Sequence, residues 1–263
     1  SWGVGGIEAE AAALGQPITT LVPQVVGVHL TGELRDGVSA MDAALTFAQM
    51  LRAKGVVGKF VECFGDGVAT LSATQRACIA NMTPEYGCTC TLFPVDDRTL
   101  EYLLLTGRDK EQVALVEAYA KAQGMWNDGA SRVYSEVLEL NLSEVECSLA
   151  GPSRPHDRFA RSDARSRFNA ICVDRNLDMD KRVAVNFMGT EYELTHGAIA
   201  IAAVTSCTTA TDPAMMLACG LVAKHARERG LLAKPWVKRV MAPGSHATQL
   251  MLERAGLAQP LAE

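Results

Sequence analysis

Apolar positions along this chain follow two periods in alternation. Between residues 39 and 54, Met41, Ala44, Leu45, Ala48 and Leu51 recur at i, i+3 and i+4, the spacing that gathers them on one face of a helix. Ser39 and Asp42 stand at its start as a capping pair. The β-branched and aromatic run VVGKFVECF, residues 56–64, predicts a strand. FGDG predicts a turn after it, and Ser72-x-x-Gln75 has the spacing of a second capping box, opening a helix toward Met82. CTLFPV, residues 90–95, predicts a short strand. Helical patterns over 98–105 and 110–123 follow, and Val137, Leu138, Leu140 and Leu142 predict a strand over 136–142. This unit closes near residue 150. Helix and strand patterns in alternation predict an α/β architecture with mostly parallel sheets.

The stretch GPSRPHDRFARSDARSRF, residues 151–168, breaks the pattern with two prolines and no apolar period. Composition favours a solvated linker or extended connection. Its arginines 154, 158, 161, 165 and 167 also suit a carboxylate or phosphate, which guanidinium pairs bidentately. A second unit then opens with strands over 182–187 and 198–204, the latter (AIAIAAV) reading as buried. Asp212 as N-cap and Pro213 at the first helical position begin a helix that runs to Arg229 and stops at Gly230. A strand over 236–241, the turn APGS and a helix over 246–255 complete the chain.

Charge narrows the function classes. With 25 Lys+Arg against 30 Asp+Glu the net charge is −5, and no basic face is present to neutralise a nucleic-acid backbone. Uncharged stretches such as 197–211 fall short of the ~20 apolar residues that cross a bilayer and include polar breaks. The N-terminal SWGVGGIEAE lacks the basic and apolar regions of a signal peptide and reads as a cut end. Eight cysteines in a chain of 263 residues with ample apolar content read as reduced thiols of a cytoplasmic protein, because disulfide frameworks belong to small secreted domains.

Few residues stand out as candidate chemistry. TSCTTAT, residues 205–211, joins a strand to the helix capped by Asp212, the place where open α/β sheets bind ligands. Cys207 there suits a ligand or nucleophile, since a helix N-terminus favours the thiolate; a small buried hydrophobe is the balancing reading. Cys88 and Cys90 form a C-x-C pair with no partner pair to complete a metal site, so packing is favoured. Asn81 and Glu85, in NMTPEYG, suit a cleft lining with Glu85 as an acid/base group, against a solvated helix end on spacing alone. GVGG at 3–6 precedes a helical pattern over 7–14; without a preceding strand, close packing outweighs a phosphate seat. The five histidines are scattered without a zinc motif.

Longer blocks carry a resemblance. GVGGIEAEAAALGQP (3–17), LTGEL (30–34), GVVGKFVE (55–62), ANMTPEYGCTC (80–90), FPVDDRTLEYLLLTGR (93–108), VEAYAKAQGMW (116–126), SLAGPSRP (148–155), HGAIAIAAVTSCT (196–208) and KPWVKRVMAPGS (234–245) together resemble the aconitase family. The likeness is nearest to its bacterial aconitase A and iron-regulatory-protein branch and covers essentially the whole chain. It implies three-layer α/β/α domains and a hydro-lyase that interconverts citrate and isocitrate through cis-aconitate. It also implies a [4Fe-4S] cluster held by three Cys, whose ligand-free iron acts as Lewis acid on the substrate. Cys207 then corresponds to the first cluster ligand, and Asn81 and Glu85 to active-site residues lining the cleft.

The same resemblance marks what differs. The family's D-S-H motif and its C-x-x-C pair are not in this sequence, so only one of three expected Cys ligands is present. The chain accordingly reads as an internal fragment, inactive alone, of a monomeric cytoplasmic parent. Its domains would be the end of a first domain (1–20), a complete second (21–150), a linker (151–181) and the beginning of a third (182–263). Where the branch has S-C-T-N-T-S-N-P this chain reads SCTTATDP, with Thr209 and Asp212 in place of Asn. Cys63, Cys78, Cys88 and Cys147 also stand where the family has other residues. Alternatives are 2-methylisocitrate dehydratase or a related hydro-lyase, an RNA-binding iron-responsive role, which the acidic balance disfavours, and a truncated product without function.

Overall fold

A computed structural model describes residues 2–129, 132–205, 207 and 211–262. The chain forms two compact units, residues 1–161 and 162–263, and the boundary falls within the arginine-rich stretch.

In the first unit the elements are α1 (Gly6–Ala13), β1 (Val25–Thr31), α2 (Ala40–Lys54), β2 (Phe60–Phe64), α3 (Gly67–Thr70), α4 (Ala73–Asn81), α5 (Thr83–Tyr86), β3 (Cys90–Leu92), α6 (Asp97–Leu105), α7 (Lys110–Ala122), β4 (Glu136–Asn141), β5 (Ser148–Ala150) and β6 (Arg158–Ala160). Four strands make a parallel sheet in the order β3-β2-β1-β4. Parallel neighbours need a crossover, and α2 and α4 supply it on the β1-to-β2 and β2-to-β3 connections. Both helices begin as their sequences predict. Ser39 and Asp42 close one capping box, Ser72 and Gln75 the other, each satisfying two backbone N–H groups that a helix start leaves open.

The central strand β1 was not among the predicted elements. Its buried residues Val26, Val28 and Leu30 alternate with Gly27, His29 and Thr31, and the glycine and histidine interrupt the β-branched run that marks a strand. The buried side of the sheet packs on Ala43, Ala44, Phe47, Ala48 and Leu51 of α2 with Val61 and Cys63 of β2. On the other side His29 stacks on Phe64 at 4.9 Å between centroids and Phe64 on Tyr134 at 4.9 Å. Gly27 makes room for that stack, since a Cβ there would lie 2.6 Å from the Tyr134 ring.

Other boundaries differ for local reasons. The strand expected over 56–64 starts at Phe60, because Val56 to Lys59 forms a turn with Gly58 at φ +74°. FGDG continues into the single helical turn α3, and the strand expected over 90–95 ends at Leu92. The stretch expected as an extended connection contains β6, antiparallel to β5, and then α8 (Ala164–Asp174).

The second unit holds α8, β7 (Arg182–Phe187), β8 (Thr190–Thr195), β9 (Ile201–Thr205), α9 (Pro213–Glu228), β10 (Lys238–Ala242), α10 (His246–Arg254) and α11 (Ala258–Ala262). β7 and β8 form an antiparallel hairpin whose turn uses Met188 and Gly189 at positive φ; β8 was not predicted. β9 and β10 pair in parallel through α9. The run 198–204, expected to be a buried strand, is corrected: the strand is Ile201–Thr205 and Ile201 is 63% exposed, because a two-stranded sheet has no neighbours to cover both faces. A small core of Met216, Leu252 and Leu257 joins α9 to α10 and α11, with Leu257 seated over Gly220, where a Cβ would lie 2.8 Å away.

Candidate functional site

Asn81 and Glu85 meet at one corner of the first unit. α4 runs against the strand direction and ends at Asn81; Met82 leaves the helical ladder, and Pro84 opens the next turn without an N–H to donate. Glu85 lies in that turn, its backbone N–H bonded to the Met82 carbonyl at 2.9 Å. Gly87, at φ +81°, ends α5 and sends the chain into β3. The corner therefore sits at the amino end of the strands, opposite to the carboxyl end where open α/β sheets usually bind ligands. Both Asn81 and Glu85 are exposed.

Three neighbours shape the corner. The N–H of Gly3 donates to the Thr89 carbonyl at 3.0 Å, and a Cβ on Gly3 would lie 3.4 Å from the Pro84 ring. That is an ordinary contact distance, so packing there does not demand a glycine, and α1, which follows, buries no residue. The Arg52 guanidinium lies across Gly87, 3.4 Å from where a Cβ would stand, and brings a positive charge beside the Glu85 turn. Beneath α5, Tyr86 is fully buried among Thr83 and Thr91. Burial pushes its phenol well above the usual tyrosine range.

Arg76 anchors the middle of α4. Its guanidinium donates to both Asp96 carboxylate oxygens, at 2.8 and 2.6 Å, and to the carbonyls of Leu71 (3.0 Å), Val68 (2.9 Å) and Pro94 (3.3 Å). Asp96 is also the N-cap of α6. Neither Tyr86 nor Arg76 stood out in the sequence; the only local signal for the first is its i, i+3 spacing from Thr83.

Cys207 belongs to the second unit, in the connection from the carboxyl end of β9 to α9, and is exposed. Its carbonyl accepts the Thr211 hydroxyl at 2.7 Å. Asp212 is buried and caps α9, accepting from the Ala214 N–H at 3.2 Å, as its sequence position predicts. A carboxylate therefore stands at the start of the helix that follows the Cys207 connection. Thr209 lies outside the described residues.

The cysteines separate by burial. Cys63, Cys78, Cys88, Cys90 and Cys172 are buried, Cys147 and Cys219 half-buried, Cys207 exposed, and none forms a disulfide. Burial raises the thiols of Cys63, Cys88 and Cys90, holding them protonated. Cys88 donates to the Lys59 and Cys90 carbonyls, each at 3.1 Å, which accounts for it by packing and hydrogen bonding. Among the described residues no three His, Cys, Asp or Glu side chains gather as a metal site. The described residues thus offer one accessible thiol and not a complete cluster ligand set. Among them, too, no helix is long and apolar enough to cross a membrane. A cavity of about 420 Å³ in the second unit is walled mainly by Ala202, Val204, Ala223, Leu231, Val240 and Leu261, an apolar lining joined by Arg227 and Arg239.

The sequence pattern of the Aconitase family (aconitate hydratase) matches residues 1–263, and the chain belongs to that family. Among its relatives, aconitate hydratase A of Escherichia coli (strain K12) is 52% identical over 266 residues, covering 100% of this chain and 30% of the relative. Aconitate hydratase A of Legionella pneumophila is 51% identical over 258 residues, 97% of this chain and 29% of the relative. That of Pseudomonas aeruginosa is 48% identical over 286 residues, 100% of this chain and 31% of the relative. The chain spans about 30% of the length of these relatives.

Proposed function

We propose that this chain is part of an aconitate hydratase, a hydro-lyase that moves a hydroxyl between citrate and isocitrate through cis-aconitate. The observation that carries the reading is the family match along every residue, joined to relatives of that name at about half identity. In this reading Cys207 is one thiolate ligand of a [4Fe-4S] cluster, with the other ligands supplied by the part of the relatives' length that this chain does not span. Its exposure, and its place at a strand's carboxyl end, support that role. When bound, such a cluster supplies a Lewis acid for the departing hydroxyl.

Asn81 and Glu85 are then the groups that hold water and substrate oxygens. An amide donates and accepts at once, and an exposed carboxylate accepts a hydroxyl or takes up a proton. Their shared corner supports a joint role. Cysteines outside any disulfide support a cytoplasmic setting, and the parent is a monomer in this reading. We assign residues 1–20 to the end of one domain, 21–150 to a second, 151–181 to a linker and 182–263 to the start of a third. The test is hydration of cis-aconitate by the cluster-loaded enzyme that contains this chain. Citrate and isocitrate are expected, with a loss of at least a hundredfold in kcat for Glu85→Gln. Absence of both products from an enzyme with intact cluster would overturn the reading.

A further inference from the structure

Below the exposed corner lies a chain of buried hydroxyls. Thr83 Oγ1 donates to the Ala80 carbonyl at 2.5 Å. Having used its proton there, it can only accept from Tyr86 OH, 3.4 Å away. The phenol also meets Thr91 Oγ1 at 2.6 Å, a short bond in which either hydroxyl can donate. The contacts run in sequence from Thr91 through Tyr86 and Thr83 to the carbonyl of Ala80, with the direction fixed at the last step, where Thr83 donates. Thr91 belongs to β3, Tyr86 and Thr83 to α5, and Ala80 precedes Asn81 in α4. The relay therefore ties a strand, a four-residue helix and the end of a nine-residue helix at the point where Asn81 and Glu85 emerge.

We propose that Tyr86, acting through Thr83, is a positioning residue for Asn81 and Glu85. The inference rests on the reading of those two as site residues. A single turn of helix closed by Pro84 and Gly87 has few hydrogen bonds of its own to fix its direction. What holds the turn at a set angle is the buried phenol, fully enclosed, with a hydroxyl bonded on two sides. Without that hydroxyl the ring still fills its space, while the turn gains freedom to rotate about it. Displacing a substrate-orienting group by about 1 Å costs up to about a hundredfold in rate.

Tyr86→Phe keeps the ring and removes only the oxygen, so the fold is retained. Thr83→Val breaks the same relay from the other side, and Thr83→Ser keeps it. In the 263-residue chain, amide hydrogen exchange at Glu85 and Gly87 is expected to quicken at least tenfold in Tyr86→Phe and Thr83→Val. Leu51, in the interior of α2, is expected to stay unchanged. In the cluster-loaded enzyme, both variants are expected to lose ten- to a hundredfold in kcat on cis-aconitate with iron content intact, the double variant no worse than either, and Thr83→Ser to restore the rate. Uniformly faster exchange across the unit, or full kcat in Tyr86→Phe alongside an inactive Glu85→Gln, would overturn the proposal while leaving the site reading in place. Full kcat in Glu85→Gln would overturn the site reading itself.

Discussion

Asp96→Ala tests how the α4 corner is held. The side chains of Arg76 and Asp96 are 5% and 10% exposed, and their bidentate pair is among the most enclosed polar contacts described. Removing one partner of a buried pair leaves an uncompensated charge and costs about 3–5 kcal/mol. Asp96 also accepts from the Thr99 N–H at 3.4 Å as the cap of α6, a loss of about 1 kcal/mol. Together these predict a loss of about 4–6 kcal/mol, a large share of the ~5–15 kcal/mol that holds a domain folded. With a urea slope of about 2 kcal/mol per molar, the unfolding midpoint should fall by about 2–3 M. Asp96→Asn, which keeps a good cap, should lose only the charge contribution. Adding Arg76→Met to Asp96→Ala should not restore stability, although two apolar residues often replace a buried pair without loss. The reason is that Arg76 also satisfies the carbonyls of Leu71, Val68 and Pro94, which methionine would leave bare. A midpoint shift below about 0.5 M for Asp96→Ala, or recovery in the double variant, would refute this reasoning.

Further expectations follow from the same packing. Gly27→Ala should destabilise the first unit by about 1–3 kcal/mol, measured by urea titration, because the new methyl meets the Tyr134 and Phe64 rings; an unchanged midpoint would show that the stack gives way freely. A thiol reagent on the native chain should modify Cys207 first, Cys147 and Cys219 more slowly, and the buried five only after denaturation; peptide mapping reads the order, and early labelling of Cys63 would contradict it. A spectrophotometric titration of the native chain reads the phenols of Tyr86 and Tyr134. Tyr134 is pushed up to about 12 by burial and the Glu62 carboxylate, and burial pushes the Tyr86 phenol up as well. Both phenols ionise more readily unfolded than folded, so the stability they confer is whole below pH ~10 and is lost as pH climbs toward their folded values. A native spectrum in which every tyrosine ionises together near pH 10 would contradict the burial.

How much of this was legible in the sequence depended on range. Ser39, Ser72 and Asp212 each bond a backbone N–H two or three residues on, and such contacts are written in local spacing, so all three helix starts fall where the pattern puts them. β1 escaped because a central parallel strand is defined by what lies on either side of it. Gly27 and His29 look like breaks until Tyr134 and Phe64 are seen packed against them. The strand β9 was readable as a strand and misjudged as buried, since burial is set by elements the strand itself does not encode. At the site, Cys207 could be singled out from its loop and helix cap. Asn81 and Glu85 rested on the family resemblance, because Pro84 interrupts the helical register between them and no local rule marks the corner. Arg76 and Asp96, 20 residues apart, had no pattern to announce them.

The assignment of Cys207 is tested most directly by counting iron and inorganic sulfide, after anaerobic reconstitution, in the enzyme that contains this chain and in its Cys207→Ala variant. Cys207 as a ligand predicts a four-iron cluster in the first and its loss in the second, with the visible absorption of the cluster disappearing in parallel. Equal iron and sulfide in the two proteins would contradict it.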